Sequence, residues 1–222
     1  MIRGALWWKP LLSAKGFTRD QRGWATVFVL FVIPFLVMGW LMVTGVTQAV
    51  TNADYDLKDS LEAAVKAANY QVAPSSQAAG DARVHADNAH AAFRRVLADT
   101  LRLDHNTLTP GENSPLEGRP QYTLVVYNGD NAYASSGAPG SRVYRFDGET
   151  LQQYGMMNLG FPCTFSIRIC GDIDQGKSGS AVARVTLKGP GCVAWVRADL
   201  KKLVGSGNMQ AARWMASEIV YR

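Results

Sequence analysis

Thirty-one consecutive residues of this chain, 23–53, carry no charged side chain. Within them WATVFVLFVIPFLVMGWLMVTGV, residues 24–46, is almost wholly apolar. At about 1.5 Å per residue a helix over that stretch is roughly 35 Å long, enough to cross a hydrocarbon core of about 30 Å. A buried core helix rarely runs so far without a polar face, so the stretch reads as a transmembrane helix in contact with the lipid bilayer. The flanks set its direction. Arg3, Lys9, Lys15, Arg19 and Arg22 precede it against one acid, Asp20; Asp54, Asp56 and Asp59 follow it. Basic residues stay on the cytoplasmic side, so the expectation is a single-pass protein with a cytoplasmic N-terminus and everything from Asp54 onward extracytoplasmic. Of the net charge of +5, +4 falls in the first 23 residues. The positive balance is a topology signal and gives no reason to expect a nucleic-acid partner. Span and leader are both too long for an ordinary secretory signal, and no Ala-x-Ala cleavage motif follows the span.

The apolar stretch does not end a helix. TQAVTNADYDLKDSLEAAVKAANYQV continues to Pro74 without Gly or Pro, and Leu57, Leu61, Ala64, Val65 and Ala68 recur every three or four residues on one face. Lys58, Glu62 and Lys66 are spaced by four on the other. One helix from about Trp24 to about Val72 is expected, with a kink at Pro34, whose ring removes a backbone donor. PSSQAAG then breaks the pattern, Asp81 is a good N-cap, and residues 82–103 read as a second helix with Ala89, Phe93, Val96, Leu97 and Leu101 on its apolar face. From Gln121 the period changes to two. YTLVVYN, RVYRF, TFSIRI, AVARVTL and CVAWVRADL read as strands, KGPG as a turn between the last two, and NMQAARWMASEIVYR fits either period, with a final strand favoured. Helices followed by strands imply an α+β fold with a mostly antiparallel sheet. The expected organisation is a basic cytoplasmic leader (1–23), a transmembrane helix (24–50), its extracytoplasmic continuation (51–73) and an extracytoplasmic α+β domain (81–222).

GDIDQGKS, residues 171–178, has the G-x-x-x-x-G-K-S spacing of a phosphate-cradling loop. That loop needs a helix after it, whereas SAVARVTLK alternates like a strand. Asp172 and Asp174 would set negative charge against phosphates, and triphosphates are scarce outside the cytoplasm. The segment is therefore expected to be a glycine-rich hairpin loop, with no nucleotide and no cofactor. A calcium loop is the other reading of Asp172-x-Asp174-x-Gly176, but it lacks a third acidic ligand and a terminal Glu. His85, His90 and His105 make no metal-ligand spacing and read as surface histidines; no metal site and no catalytic constellation is expected. Cys163, Cys170 and Cys192 lie where disulfides persist. Cys163 and Cys170 cannot pair within one strand. Folding the hairpin about Gln175 sets Cys163 opposite roughly Leu187, and the KGPG turn sets Cys192 opposite the same residue, so a Cys163–Cys192 bridge or free packed thiols are the alternatives.

A basic segment ending in Arg22-Gly23, a hydrophobic helix, an amphipathic continuation and a small outer α+β domain together resemble the bacterial type IV pilin architecture. QRGWATVFVLFVIPFLVMGW is similar to the start of TadE- and TadG-like proteins of tight-adherence pilus systems, in Arg22-Gly23 and in the residues from Val27 through Pro34 to Leu36; LKDSLEAAVKAANYQV resembles their alanine-rich segment after the span. The resemblance covers about the first 75 residues. It implies leader cleavage between Gly23 and Trp24 and assembly with other pilus or inner-membrane subunits. Phe28 would then be the fifth mature residue, where pilins commonly carry Glu, so a minor or assembly subunit is implied rather than a major pilin. Gly45-x-x-x-Ala49 offers a close-approach face to a neighbouring helix. The expected function is a non-enzymatic, membrane-anchored subunit of such a system, or alternatively an anchored extracytoplasmic binding module with no filament role.

Overall fold

The computed structural model describes residues 21–134, 139–176, 179–201 and 209–219; within its first helix the side chains of 21–26, 49 and 50 are not described. The leader residues 1–20, with the basic residues that set the expected topology, thus lie almost entirely outside the described part. The protein is α+β, with one long apolar N-terminal helix and antiparallel sheets. It divides into two units, Met1–Gly45 and Val46–Arg222.

Helix α1 spans Gln21–Asn69 and is unbroken through Pro34. In the first unit its described side chains are almost all exposed. In the second, Ala53, Leu57, Leu61, Ala64, Val65 and Ala68 are buried, the stripe that the three- and four-residue spacing predicts. Burying each large aliphatic side chain of that stripe contributes about 1.5–3 kcal/mol. The solvent side carries the Lys66–Glu62 pair, 2.6 Å apart.

After α1 comes a short helix α2 (Pro74–Ala78), started by Pro74 at a position that tolerates a missing N–H. The polar break of the sequence thus contains one helical turn. Helix α3 covers Ala86–Leu101, four residues shorter at its start than the pattern suggests. Its N-cap is His85, whose Nδ1 accepts from the N–H of Asn88. Asp81 does not cap: it pairs with the guanidinium of Arg83, which also grips Asp130 at 2.7 Å.

The strands are β1 (Gln121–Tyr127), β2 (Arg142–Phe146), β3 (Leu151–Gly155), β4 (Cys163–Ile167), β5 (Ile173–Gln175), β6 (Ala183–Leu187), β7 (Gly191–Leu200) and β8 (Met209–Glu218). They form two sheets, ordered β3-β2-β1-β7-β8 and β5-β4-β6, with every pairing antiparallel. Three layers result. One core joins α1 and α3 to Tyr122, Leu124, Val126, Tyr144, Phe146, Cys192, Ala194, Val196, Ala198 and Leu200 on one face of the larger sheet. A second core joins Val125, Tyr127, Val143, Val193 and Trp195, from its other face, to Cys163, Phe165, Ile167, Ile173 and Leu187. Strands β1 and β7 are buried on both faces, so nearly every residue in them is apolar.

One expectation about connectivity holds and one changes. The tail is a strand, β8, which pairs with β7 along its whole length. KGPG is not a hairpin turn, because β6 and β7 belong to different sheets; the turn carries the chain from one sheet to the other.

Candidate functional site

The most conspicuous exposed apolar surface among the described residues is the first half of α1. Phe35, Trp40 and Leu30 are 74%, 72% and 68% exposed, and Phe28, Phe31, Leu36, Leu41 and Val43 are exposed with them. Tryptophan and phenylalanine each bury 150–250 Å² when packed, by the usual approximate figures. A row of them left in water is costly at about 25 cal/mol per Å². The helix that carries this surface is long and apolar enough to cross a membrane. Pro34 is exposed within it. A Cβ at Gly39 or at Gly45 would meet no atom within 4 Å, so neither glycine is there to admit another part of this chain. Of the expected packing pair, Gly45 is exposed, whereas the side chain of Ala49 lies outside the described residues. Gly23 and Trp24 fall in the opening turns of α1, where the side chain of Trp24 too is not described.

The loop that imitates a phosphate cradle is used structurally. Its middle residues, Ile173–Gln175, form β5 and pair with β4, and the N–H of Gly176 donates to the carbonyl of Thr164. Asp172 pairs with Arg145, and Asp174 with Arg168 at 2.9 Å. Those guanidinium groups occupy the two carboxylates that a calcium ion would need. Gly171 has φ +89°, and a Cβ there would lie 2.3 Å from the ring of Trp195, so this glycine serves close packing as well as the turn. The following element is strand β6 rather than the helix a phosphate cradle requires. Lys177 and Ser178 lie outside the described residues.

The cysteine expectation is half met and half corrected. Cys163 does face Leu187 across the β4–β6 ladder. Cys192 instead faces Val126 and Ser217 in the larger sheet. Its side chain lies in the helix-side core, whereas Cys163 lies in the core between the sheets. The β7 backbone separates the two thiols, and both are free, as is the exposed Cys170. Burial pushes the Cys192 thiol well above its ordinary pKa, so it behaves as a packed apolar group.

A polar cluster that the sequence does not advertise sits where α3 meets the larger sheet. His90 stacks on Tyr144 with ring centroids 4.2 Å apart and planes 2° from parallel, and its Nε2 is 2.8 Å from the hydroxyl of Tyr122. Asp87, in the first turn of α3, accepts from Tyr144 at 2.9 Å and from Arg142 at 2.6 Å. His90 is therefore not a surface histidine: burial, and next the Arg94 charge, lower its pKa to about 4, and it is neutral at physiological pH. Burial likewise raises the Tyr122 hydroxyl to about 12. Nearby, Asn128 accepts from the N–H of Val84 and donates to the carbonyls of Val84 and Gly140. These groups satisfy one another within the fold, and their geometry is that of a structural tie between α3 and the sheet.

Among the described residues no group of three His, Cys, Asp or Glu side chains is placed to hold a metal ion. The concavities are open and lined by mixed residues. One of about 430 Å³ gathers Arg94, Arg95, His105 and Asn106 beside α3, and another of about 800 Å³ lies between the end of α1 and the end of β8. No protein-family profile, no curated protein and no solved structure matches the chain.

Proposed function

We propose that this chain is a bitopic, non-enzymatic subunit of a tight-adherence-like type IV pilus system, acting as a minor pilin or an assembly component. The observation that carries the membrane half of this reading is the contrast within α1. Its first half exposes a continuous ring of large apolar side chains, and its second half buries an apolar stripe in an α+β unit. Lipid is the solvent that removes the cost of the first half. The N-terminus is cytoplasmic and the α+β unit extracytoplasmic, by the positive flank before the helix. The pilus half of the reading is supported by the residues around Arg22-Gly23 and Pro34 and by the order of helix, then antiparallel sheet.

In this role α1 anchors and packs, and the outer unit presents surface to other subunits. Leader removal between Gly23 and Trp24 decides between two fates. With Arg19 and Arg22 retained, leaving the bilayer requires drawing charges through its centre at about 2.5–3.5 kcal/mol each. With the leader removed, that restraint is gone and filament entry is open. N-terminal sequencing of the protein from membranes and from sheared surface filaments tests this. The proposal expects the intact leader in membranes, Trp24 as first residue in any filament fraction, and co-isolation with other pilus subunits. A soluble released fragment cut beyond Val46 as the sole form would contradict it.

A further inference from the structure

Strand β8 ends the larger sheet. Its ten residues pair with β7 on one side, and no described strand flanks the other. Ile219, just past the strand, donates its N–H to Pro190. The alternation of an antiparallel ladder then turns the odd-numbered peptide groups toward β7. It leaves the N–H and C=O of Gln210, Ala212, Trp214, Ala216 and Glu218 directed outward. Protein edges of this length are usually guarded by proline, outward lysine or a bulge. This one has an unbroken register from Gly191↔Glu218 to Leu200↔Met209, and its one basic residue, Arg213, is engaged with Asp54 of α1 and donates at 2.9 Å to the outward carbonyl of Ala212. Trp214 and Met209 remain 44% and 40% exposed.

We infer that β8 is the pairing edge for a second copy of this chain, joined antiparallel about a two-fold axis beside Trp214, so that two five-stranded sheets become one. This rests on the edge itself and not on the pilus reading. What favours a second copy as occupant is self-complementarity. With Trp214 opposite the partner's Trp214, Ala212 meets the partner's Ala216, and Gln210 meets the partner's Glu218, an amide against a carboxylate. On the helix-side face Arg213 meets the partner's Met215. A slip of one residue in each strand would set Arg213 against the partner's Arg213, like charges in a close pair, which disfavours that register. The outward peptide groups supply about ten backbone hydrogen bonds, the Ala212 carbonyl accepting on its second lone pair beside its bond from Arg213.

An independent observation lies at one end of the same edge. The cleft of about 800 Å³ there is lined by Lys66, Asn69 and Tyr70 of α1 and by Ser217, Glu218 and Ile219. Asn69 is 6% exposed, and neither its amide nitrogen nor its amide oxygen has a hydrogen-bond partner. A buried amide in that state is costly. The pairing starts the partner's strand opposite Glu218, beside this cleft. It brings peptide donors and acceptors to the mouth of the cleft that Asn69 lines.

The full chain purified in detergent tests the inference by light scattering after gel filtration. Ala212→Pro with Ala216→Pro removes two outward N–H groups and leaves the β7 ladder intact. The wild-type protein should be a dimer at micromolar concentration, and the double variant should associate at least about tenfold more weakly with an unchanged melt. Trp214→Cys in a Cys170→Ser background should form a reducible dimer under mild oxidation. Facing residues of a hydrogen-bonded pair are about 5.5 Å apart at Cα, within disulfide reach. Thr186→Cys, exposed on β6, should stay monomeric in the same background. A monomeric wild type, a dimer kept by a folded double-proline variant, or no cross-link through position 214 would each overturn the inference. If the proline variant fails to fold, the cross-link alone decides.

Discussion

Helix α1 contains two stretches with the same backbone and opposite fates. Residues 27–45 present apolar side chains all round and bury almost none, while residues 53–68 present them on one stripe and bury that stripe completely. Exposure of Leu36 at 67% and of Leu61 at 1% is not a difference of residue type. It is a difference of surroundings: Leu61 has α3 and the sheet for solvent, and Leu36 needs another apolar phase. The lesson is that helical periodicity, rather than hydrophobicity alone, tells which half supports a folded core.

Substitutions can break that contrast, beginning with the largest effect. Phe93→Ala empties the centre of the helix-side core, where Phe93 is fully buried against Tyr122 at a ring distance of 5.3 Å. It should cost about 3–5 kcal/mol in denaturant unfolding of the outer unit. Phe35→Ala, on the exposed half, should change that unfolding by less than about 0.5 kcal/mol. Equal effects of the two would erase the distinction between the halves. Leu36→Lys should leave the unfolding midpoint of the outer unit in place yet disfavour membrane insertion by about 2.5–3.5 kcal/mol. Alkaline extraction of membranes would show it as protein moving from pellet to supernatant.

Acid should act on the α+β unit. His90 takes up its proton near pH 4 in the folded protein and near 6.5 when unfolded. The unfolded state binds more protons between those values, so stability falls as the pH drops from about 6.5 to about 4, by up to about 3 kcal/mol. Melting temperature against pH should show that slope, and His90→Gln should flatten it. Gly45→Ala should be the mildest change, since a Cβ there meets nothing within 4 Å. Its effect on unfolding should be below about 0.5 kcal/mol. A change in cross-linking to neighbouring membrane subunits would mark Gly45 as a contact between helices.

The parts legible in the sequence are those whose neighbours are local or whose burial is one-sided. The α1 stripe, strand β2 and the Cys163↔Leu187 register follow from spacing and a single turn. Strand β3, LQQYG, is exposed along its length and so has no apolar alternation to betray it. Strand β5 is three residues inside a glycine-rich loop. The two-sheet arrangement was hidden in β7: buried on both faces, it gives no sign of which face meets the helices, and the position of Cys192 followed that missing information. His90 departs from the surface reading for a related reason. Its helix position is ordinary, and only the sheet that brings Tyr122 and Tyr144 against it makes it a half-buried, neutral group.

The central claim is that the apolar half of α1 crosses a membrane with the folded unit outside. Cys170 offers a direct probe, because it is exposed whereas Cys163 and Cys192 are buried. A membrane-impermeant maleimide added to intact bacterial spheroplasts producing the full chain should label it at once, and Cys170→Ser should abolish the signal. Labelling that appears only after lysis would place the α+β unit inside and contradict the account.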